Sequence, residues 1–408
     1  MSFASRPLGE IAKINPLHGE VIDPETEVSF LGMADVSELG TTALGEGRPY
    51  GEVRTGYTPF RDGDILVAKI TPCFQNGKIA QAQIEHEIGA GSTEFHVVRP
   101  NEEVDGRYLL RFLRQDFIRV EGELRMTGTG GQKRVPESYL RRLMVPLPPI
   151  AEQKRLAALL DQVDTLRVKR REAMVLLEDL AHSIFLEMFG DPISNSRGWK
   201  RMRMGDLLVG IESGKSPKCL DRRAEEEEWG VLKLGAVTRC VYLQDENKAL
   251  PSGVAPDTRH EVRAGDLLFT RKNTPNLVAA SAYVRSTRSR LLMPDLVFRL
   301  VVADGAPIDK VYLHALLTQS GVRRKLQDLA SGSAASMVNI SKAKLLEFMC
   351  EVPPVDLQRR FAQRIEAVEA QRDVHRTHLA ALDELFASLQ QRAFSSTLWD
   401  HEAAGEAA

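Results

Sequence analysis

The chain has no run of about eighteen apolar residues, so no helix is expected to cross a membrane. Its start, Met1-Ser2-Phe3-Ala4-Ser5-Arg6-Pro7, lacks the apolar core of a secretion signal, which makes the cytoplasm the expected compartment. Cysteine is scarce: Cys73, Cys219, Cys240 and Cys350 form no CxxC pair and have no histidine at ligand spacing. That pattern argues against a zinc site and a disulfide framework, and the four read as small core residues. The nine histidines contain no HExxH, and His375 and His378 are expected on a solvated or interfacial helix position.

Catalytic signatures are missing too. Gly210-Ile211-Glu212-Ser213-Gly214-Lys215-Ser216 resembles a phosphate loop, but three residues separate Gly210 from Gly214 where the pattern needs four. No Asn/Asp-Pro-Pro-aromatic run is present, which removes the base-methylating site of amino-methyltransferases. Pro294-Asp295 has no Glu-x-Lys behind it at nuclease spacing. The acidic run Glu225 to Glu228 reads as a solvated turn. No catalysis and no bound metal are expected.

What remains is an ordinary globular composition. With 408 residues, 43% hydrophobic and 27% charged, the chain has room for two or three domains. The net charge of −2 hides a split. Residues 191–352 carry 25 Lys+Arg against 19 Asp+Glu, and residues 1–150 carry 17 against 21. Bulk charge does not point to nucleic acid, so any such surface must be local.

The organising stretch begins at Val145-Pro146-Leu147-Pro148-Pro149-Ile150-Ala151-Glu152-Gln153-Lys154-Arg155 and runs unbroken to Met188-Phe189-Gly190-Asp191-Pro192. Prolines open it and Gly-Asp-Pro closes it, which predicts one helix of about forty residues. Leu156, Leu160, Val163, Arg167, Arg170, Met174, Leu177, Ala181, Ile184 and Met188 alternate steps of four and three, the spacing of a helix packed lengthwise on another. After Val352-Pro353-Pro354 the same spacing returns in Phe361, Ile365, Val368, Arg372, His375, Leu379, Leu382, Phe386, Leu389 and Ala393, at a constant offset of 205. The expected helix–helix interface is therefore Leu156, Leu160, Val163, Met174, Leu177 and Ile184 against Phe361, Ile365, Val368, Leu379, Leu382, Phe386 and Leu389. Arg167, Arg170, Arg372 and His375 interrupt both stripes, as register-fixing or solvated positions.

The repeat extends through the whole chain. Leu8-Gly9-Glu10-Ile11 answers Met204-Gly205-Asp206-Leu207, Gly63-Asp64-Ile65-Leu66 answers Gly265-Asp266-Leu267-Leu268, and Tyr108-Leu109 answers Tyr312-Leu313. One unit of about 200 residues is written twice. Each front part reads as mixed α/β, with strands at Ile65 to Ile70, Glu94 to Val98, Asp266 to Thr270 and Leu296 to Val302, then one amphipathic helix at residues 107–119 or 309–328. A Gly-rich loop, residues 128–134, and a Ser/Gly-rich loop, residues 331–339, follow at matching places as candidate contact surfaces.

The motifs Pro148-Pro149-Ile150-Ala151-Glu152-Gln153-Lys154-Arg155 and Met188-Phe189-Gly190-Asp191-Pro192 with Gly198-Trp199-Lys200, set in this duplicated layout, resemble the specificity subunit of type I restriction-modification systems. The second half departs from the pattern: Glu152-Gln153 becomes Leu357-Gln358, and Lys154-Arg155 becomes Arg359-Arg360. The resemblance implies an α+β fold: two repeated mixed α/β target recognition domains separated by two long helices pairing as an antiparallel coiled coil. The expected divisions are 1–148 and 191–352 for the recognition domains, 149–190 and 353–397 for the helices, and 398–408 for a flexible tail.

That family further implies a non-catalytic chain reading a bipartite target in double-stranded DNA. It implies two methyltransferase subunits and restriction/translocase subunits as partners, with S-adenosylmethionine, ATP and Mg on those partners and no cofactor or membrane for this chain. Base reading needs Arg or Lys towards guanine and Asn or Gln towards adenine, with other basic and hydroxyl groups on phosphate. The candidates on the first lobe are Lys69, Thr71, Gln75, Asn76, Lys78, Gln132, Lys133 and Arg134. On the second they are Arg271, Lys272, Asn273, Asn276, Ser333, Ser336 and Asn339. The alternative reading is a non-catalytic two-lobed scaffold that bridges proteins through its coiled coil.

Overall fold

Ile65-Leu66-Val67-Ala68 and Leu267-Leu268-Phe269 are apolar on both faces, so each must be covered from two sides. The computed structural model, which describes residues 3–17, 19, 21–129, 131–331 and 337–394, provides that cover twice. In chain order the elements used below are β1 (Ala12–Ile14), β2 (Ile65–Ala68), β3 (Ile79–Gln81), β4 (Phe95–Pro100), α1 (Gly106–Leu113), α2 (Asp116–Leu124) and α3 (Ile150–Phe189). Then come β5 (Leu208–Ser213), β6 (Leu267–Thr270), β7 (Ser281–Tyr283), β8 (Val297–Val302), α4 (Lys310–Thr318), α5 (Ser320–Gln327) and α6 (Val355–Phe394).

The chain divides into two units, residues 1–171 with 377–408, and residues 172–376. In the first, an antiparallel sheet runs β1-β4-β2-β3, with Ile65 opposite Val98 and Leu66 opposite Ala80. Strand alternation sends Ile65 and Val67 towards Tyr108, Leu109 and Phe112 of α1. Leu66 goes the other way, into a core with Leu31, Phe60 and Val97 beneath a second sheet. The second unit repeats the plan with β5-β8-β6-β7. Leu267 and Phe269 meet Tyr312, Leu313 and Leu316, while Leu268 meets Leu232, Ala282 and Val297.

Matched turns start the central strands. Gly63 and Gly265 adopt φ of +82° and +88°, a region that favours glycine. The following Asp64 accepts the Arg61 amide at 2.7 Å and pairs with Arg99 at 2.7 Å; Asp266 accepts the Arg263 amide at 2.9 Å and lies 3.0 Å from Arg299.

The single amphipathic helix expected in each lobe is two helices. Gln115 and Gln319 break it with extended backbone, and their buried amides donate back to Phe112 O (3.1 Å) and Ala315 O (3.2 Å). Asp105 and Asp309 cap the helices that precede these breaks, each accepting two backbone N–H groups.

The long helices α3 and α6 pair antiparallel: the residue number on one falls as the other rises. Within the first unit Arg167 meets Asp383 at 2.6 Å; within the second Glu178 meets Arg372 at 3.8 Å, and the rings of Phe189 and Phe361 lie 5.2 Å apart. All the seam positions are buried or half-buried, whereas Leu166, Val175, Leu176, Leu180, Val374 and Leu385 beside them are exposed. Of the stripe-breaking residues, Arg167 also bonds Asp164 at 2.9 Å and stacks over Phe386, and Arg372 bonds Glu369 at 2.8 Å.

The sequence motifs at the helix ends have mechanical roles. Gln153 is buried; its amide donates to Glu103 O (3.0 Å) and Pro148 O (2.8 Å) and accepts from Asp105 N (2.8 Å). Gln358 does the same with Pro307 O, Pro353 O and Asp309 N at 3.0, 2.6 and 2.7 Å. At the exit of α3, Gly190 takes φ +76° and the Trp199 indole donates to Phe189 O at 2.8 Å, capping the last turn. Phe185, Phe189, Tyr312 and Phe361 form one aromatic cluster there. In the first unit Phe394 packs on Tyr108 and Phe112. Residues 395–408, which hold the end of the expected distal helix and all of the expected tail, lie outside the described residues. Among the described residues no helix is long and apolar enough to cross a membrane.

Candidate nucleic-acid interface

In the first lobe the two expected clusters form one surface, stitched together by main chain. Where β2 ends, Lys69 N donates to Glu94 O (2.8 Å) and Lys69 O accepts from Val135 N (2.9 Å). Thr71 N then donates to Lys133 O (3.0 Å), and its hydroxyl donates to Gly131 O (2.6 Å) while accepting from Lys133 N (3.2 Å). Thr71 is thereby a loop-fixing group. Gln132 and Lys133 are exposed beside it, Asn76 is exposed after the turn, and Lys133 has no ion-pair partner among the described residues.

Other candidates are occupied. Arg134 forms a forked ion pair with Glu94 (2.6 and 2.9 Å), which holds that carboxyl below its usual range. The Gln75 amide donates to Glu123 at 2.6 Å, and the Lys78 ammonium donates to Met33 O at 2.9 Å. Buried His96 supports the same loop with Nε2 at 2.8 Å from Val135 O, and burial lowers its pKa.

The second lobe builds the equivalent surface by a short ladder. Lys272 and Asn273 pair with Asn339 and Val338, and the Arg271 backbone bonds Leu296 O and Ile340 N as Lys69 bonds Glu94 O and Val135 N. Ser331 and Asn339 close the base of the loop with bonds of 2.9 and 3.0 Å, while Ser333 and Ser336 lie outside the described residues. Arg271 stacks its guanidinium on Phe298 at 5.3 Å, Lys272 is half-buried and Asn276 is exposed. Asn273 is only 8% exposed; its amide donates to Thr238 Oγ1 and its carbonyl accepts Thr274 N. It shapes the turn from within.

Sequence reasoning missed Arg114, whose guanidinium donates to Ile79 O (2.8 Å), Gly77 O (3.3 Å) and Glu38 O (2.9 Å) and so braces the turn carrying Asn76. Burial lowers its pKa. Nothing in the order of residues marks it, because its partners are carbonyls brought in by folding. The glycine of the false phosphate loop also gains a reason: a Cβ at Gly214 would collide with Met293 O, so backbone approach, not a phosphate, requires it.

A family model described as the type I restriction modification DNA specificity domain matches residues 3–174. The chain is 30% identical over 455 residues to the type I restriction enzyme EcoEI specificity subunit of Escherichia coli, covering 88% of this chain and 76% of that one. It is 42% identical over 153 residues to the EcoAI specificity subunit of the same species, covering 36% and 26% of the two chains. The crystal structure of the type I restriction-modification S subunit from M. genitalium shares the fold with a TM-score of 0.61 at 14% identity, over 97% of this chain and 96% of that one. A chain from a study of complex assembly and conformational transition in a type I system gives 0.52 at 20% identity, over 96% and 97%. The duplicated fold and these matches define a DNA-specificity protein. The chain belongs to the specificity subunits of type I restriction-modification systems.

Proposed function

We propose that each front lobe reads one half of a bipartite sequence in double-stranded DNA, while α3 and α6 set the number of unread bases and carry two methyltransferase subunits. The observation that carries this reading is the duplication of the strand-exit surface: Lys69 to Asn76 with Gln132 and Lys133 in one lobe, Arg271 to Asn276 with Asn339 in the other, each joined by backbone bonds to its own loop. Exposed amides such as Asn76, Gln132 and Asn276 suit base edges, and Lys133 and Lys272 suit phosphate. A helix of 40 residues rises about 60 Å, a little under two turns of duplex at about 34 Å per turn.

The exposed Leu166, Val175, Leu176, Leu180, Val374 and Leu385 give α3 and α6 apolar surface beyond their mutual seam, which supports partner docking over a bare rod. The chain contributes no catalysis and binds no cofactor. S-adenosylmethionine sits on the methyltransferase partners, where the flipped adenine enters their pocket. ATP and Mg serve the restriction/translocase partners. The complex with its modification partners is expected to retain DNA carrying one split sequence over scrambled DNA at moderate salt, and equal retention overturns the reading. Methylation-sensitive sequencing of DNA from a host expressing the assembled system returns the motif.

A further inference from the structure

We propose that Arg119 and Arg323 are positioning residues for base selection, each holding the reading loop of its own lobe without touching DNA. The inference rests on the base-reading function above. Arg119 and Arg323 are related by the offset of 204 that also relates Asp105 to Asp309 and Tyr108 to Tyr312, so they occupy one place in the duplicated lobe. Both lie on the second short helix, just after the buried glutamine that starts it.

On α2, Arg119 Nη1 donates to Gln75 O at 3.1 Å, and one turn further on Glu123 accepts the Gln75 amide at 2.6 Å. On α5, Arg323 Nη2 donates to Asn276 O (3.4 Å) and Leu277 O (3.5 Å), and one turn further on Gln327 donates to Asn276 O (3.1 Å) and Val278 O (3.2 Å). Residues four apart share a helix face, so each helix presents a two-pronged grip on the loop that leaves the central strand. The second prong differs chemically between lobes, Glu123 against Gln327, yet grips the equivalent loop. The grips act on main-chain carbonyls and on one amide, which leaves the remaining side chains of the loop to face a ligand.

The two loops differ in what else holds them. In the first lobe Arg114 binds the carbonyls of Gly77 and Ile79, whereas the equivalent place in the second lobe is Thr318, whose hydroxyl bonds back to His314 O and Ala315 O of its own helix. The second loop thus depends more on its arginine. Bidentate base recognition tolerates displacement of only about 0.5 Å, so a loosened loop keeps its phosphate attraction and loses selectivity.

The test uses the assembled modification complex and DNA duplexes that are cognate, altered in one half or altered in the other, across a salt series. Arg119→Ala is expected to lose about tenfold of its discrimination at the half read by the first lobe alone, and Arg323→Ala a larger factor at the other half alone, each with an unchanged salt slope. Lysine at either place keeps one donor and restores part of the loss. A salt slope reduced by about 1 in either alanine variant identifies a phosphate contact and overturns the inference, as does loss at both halves or at neither. Should Arg323→Ala fail to assemble, Gln327→Ala removes the other prong, with the same expected and overturning results. A wild-type complex without half-site preference overturns the base-reading function itself; preference kept intact in the alanine variants overturns this inference alone.

Discussion

Asn273 and Lys133 stand at comparable ends of short polar stretches, and their amino-acid types give no hint that one is enclosed while the other faces water. The difference comes from the ladder with Val338 and Asn339, more than sixty residues away in sequence, which folds Asn273 inward. Replacing Asn273 with alanine strands Thr274 N and is expected to cost about 1–3 kcal/mol in denaturant unfolding. Lys133→Ala should leave stability unchanged, weaken DNA binding uniformly across sequences and reduce the salt slope by about 1, read by titrations at several salt concentrations. His314 offers a third test. Burial, reinforced by Arg285, lowers its pKa from the ordinary 6.5 to about 4. The unfolded chain therefore takes up a proton that the folded chain refuses, so this residue withdraws stability as pH falls from about 6.5 towards 4. His314→Leu, which copies Leu110 of the first lobe, should flatten that acid limb by up to about 3 kcal/mol in unfolding measured as a function of pH.

Elements were legible where periodicity alone decides them. The steps of four and three in α3 and α6 specify a continuous stripe, and the unbroken apolar runs in β2 and β6 call for cover on both faces. The breaks at Gln115 and Gln319 were not legible, because glutamine is an ordinary helix residue and only its amide, bonded to the preceding turn, turns the chain. The helix-start motif was readable as a signature but not as a mechanism. Its conspicuous glutamate is exchanged for Leu357 in the second copy, while its glutamine remains and does the same work in both. Gln153→Ala and Gln358→Ala each leave Asp105 N or Asp309 N and two carbonyls unmatched. Each is expected to lower stability by about 2–4 kcal/mol in equilibrium unfolding, more than Glu152→Ala, which loses only a half-exposed ion pair.

For the whole molecule, the repeat of about 200 residues, with an offset that drifts from 196 at Leu8 and Met204 to 205 along the long helices, carried most of the information, since a duplicated chain predicts duplicated sheets, caps and loops at once. Local surface detail was less accessible: which cations are neutralised, as Arg134 is by Glu94, depends on partners that the repeat does not preserve. Exchanging residues 191–352 for the matching lobe of a relative is expected to change one half of the methylated motif and leave the other intact, read by sequencing the modified bases. The amides of Gln153 and Gln358 suggest why such grafts are tolerable. Both engage only peptide groups of the neighbouring lobe, so this part of the joint is indifferent to side-chain identity, while the rest of it rests on lobe residues far from the strand-exit loops, among them Tyr108, Phe112 and Tyr312 packed on aromatic rings of the long helices. Replacement of the loop side chains alone therefore leaves the attachment of lobe to rod intact, whereas a whole-lobe graft must bring the tyrosine of this joint with it.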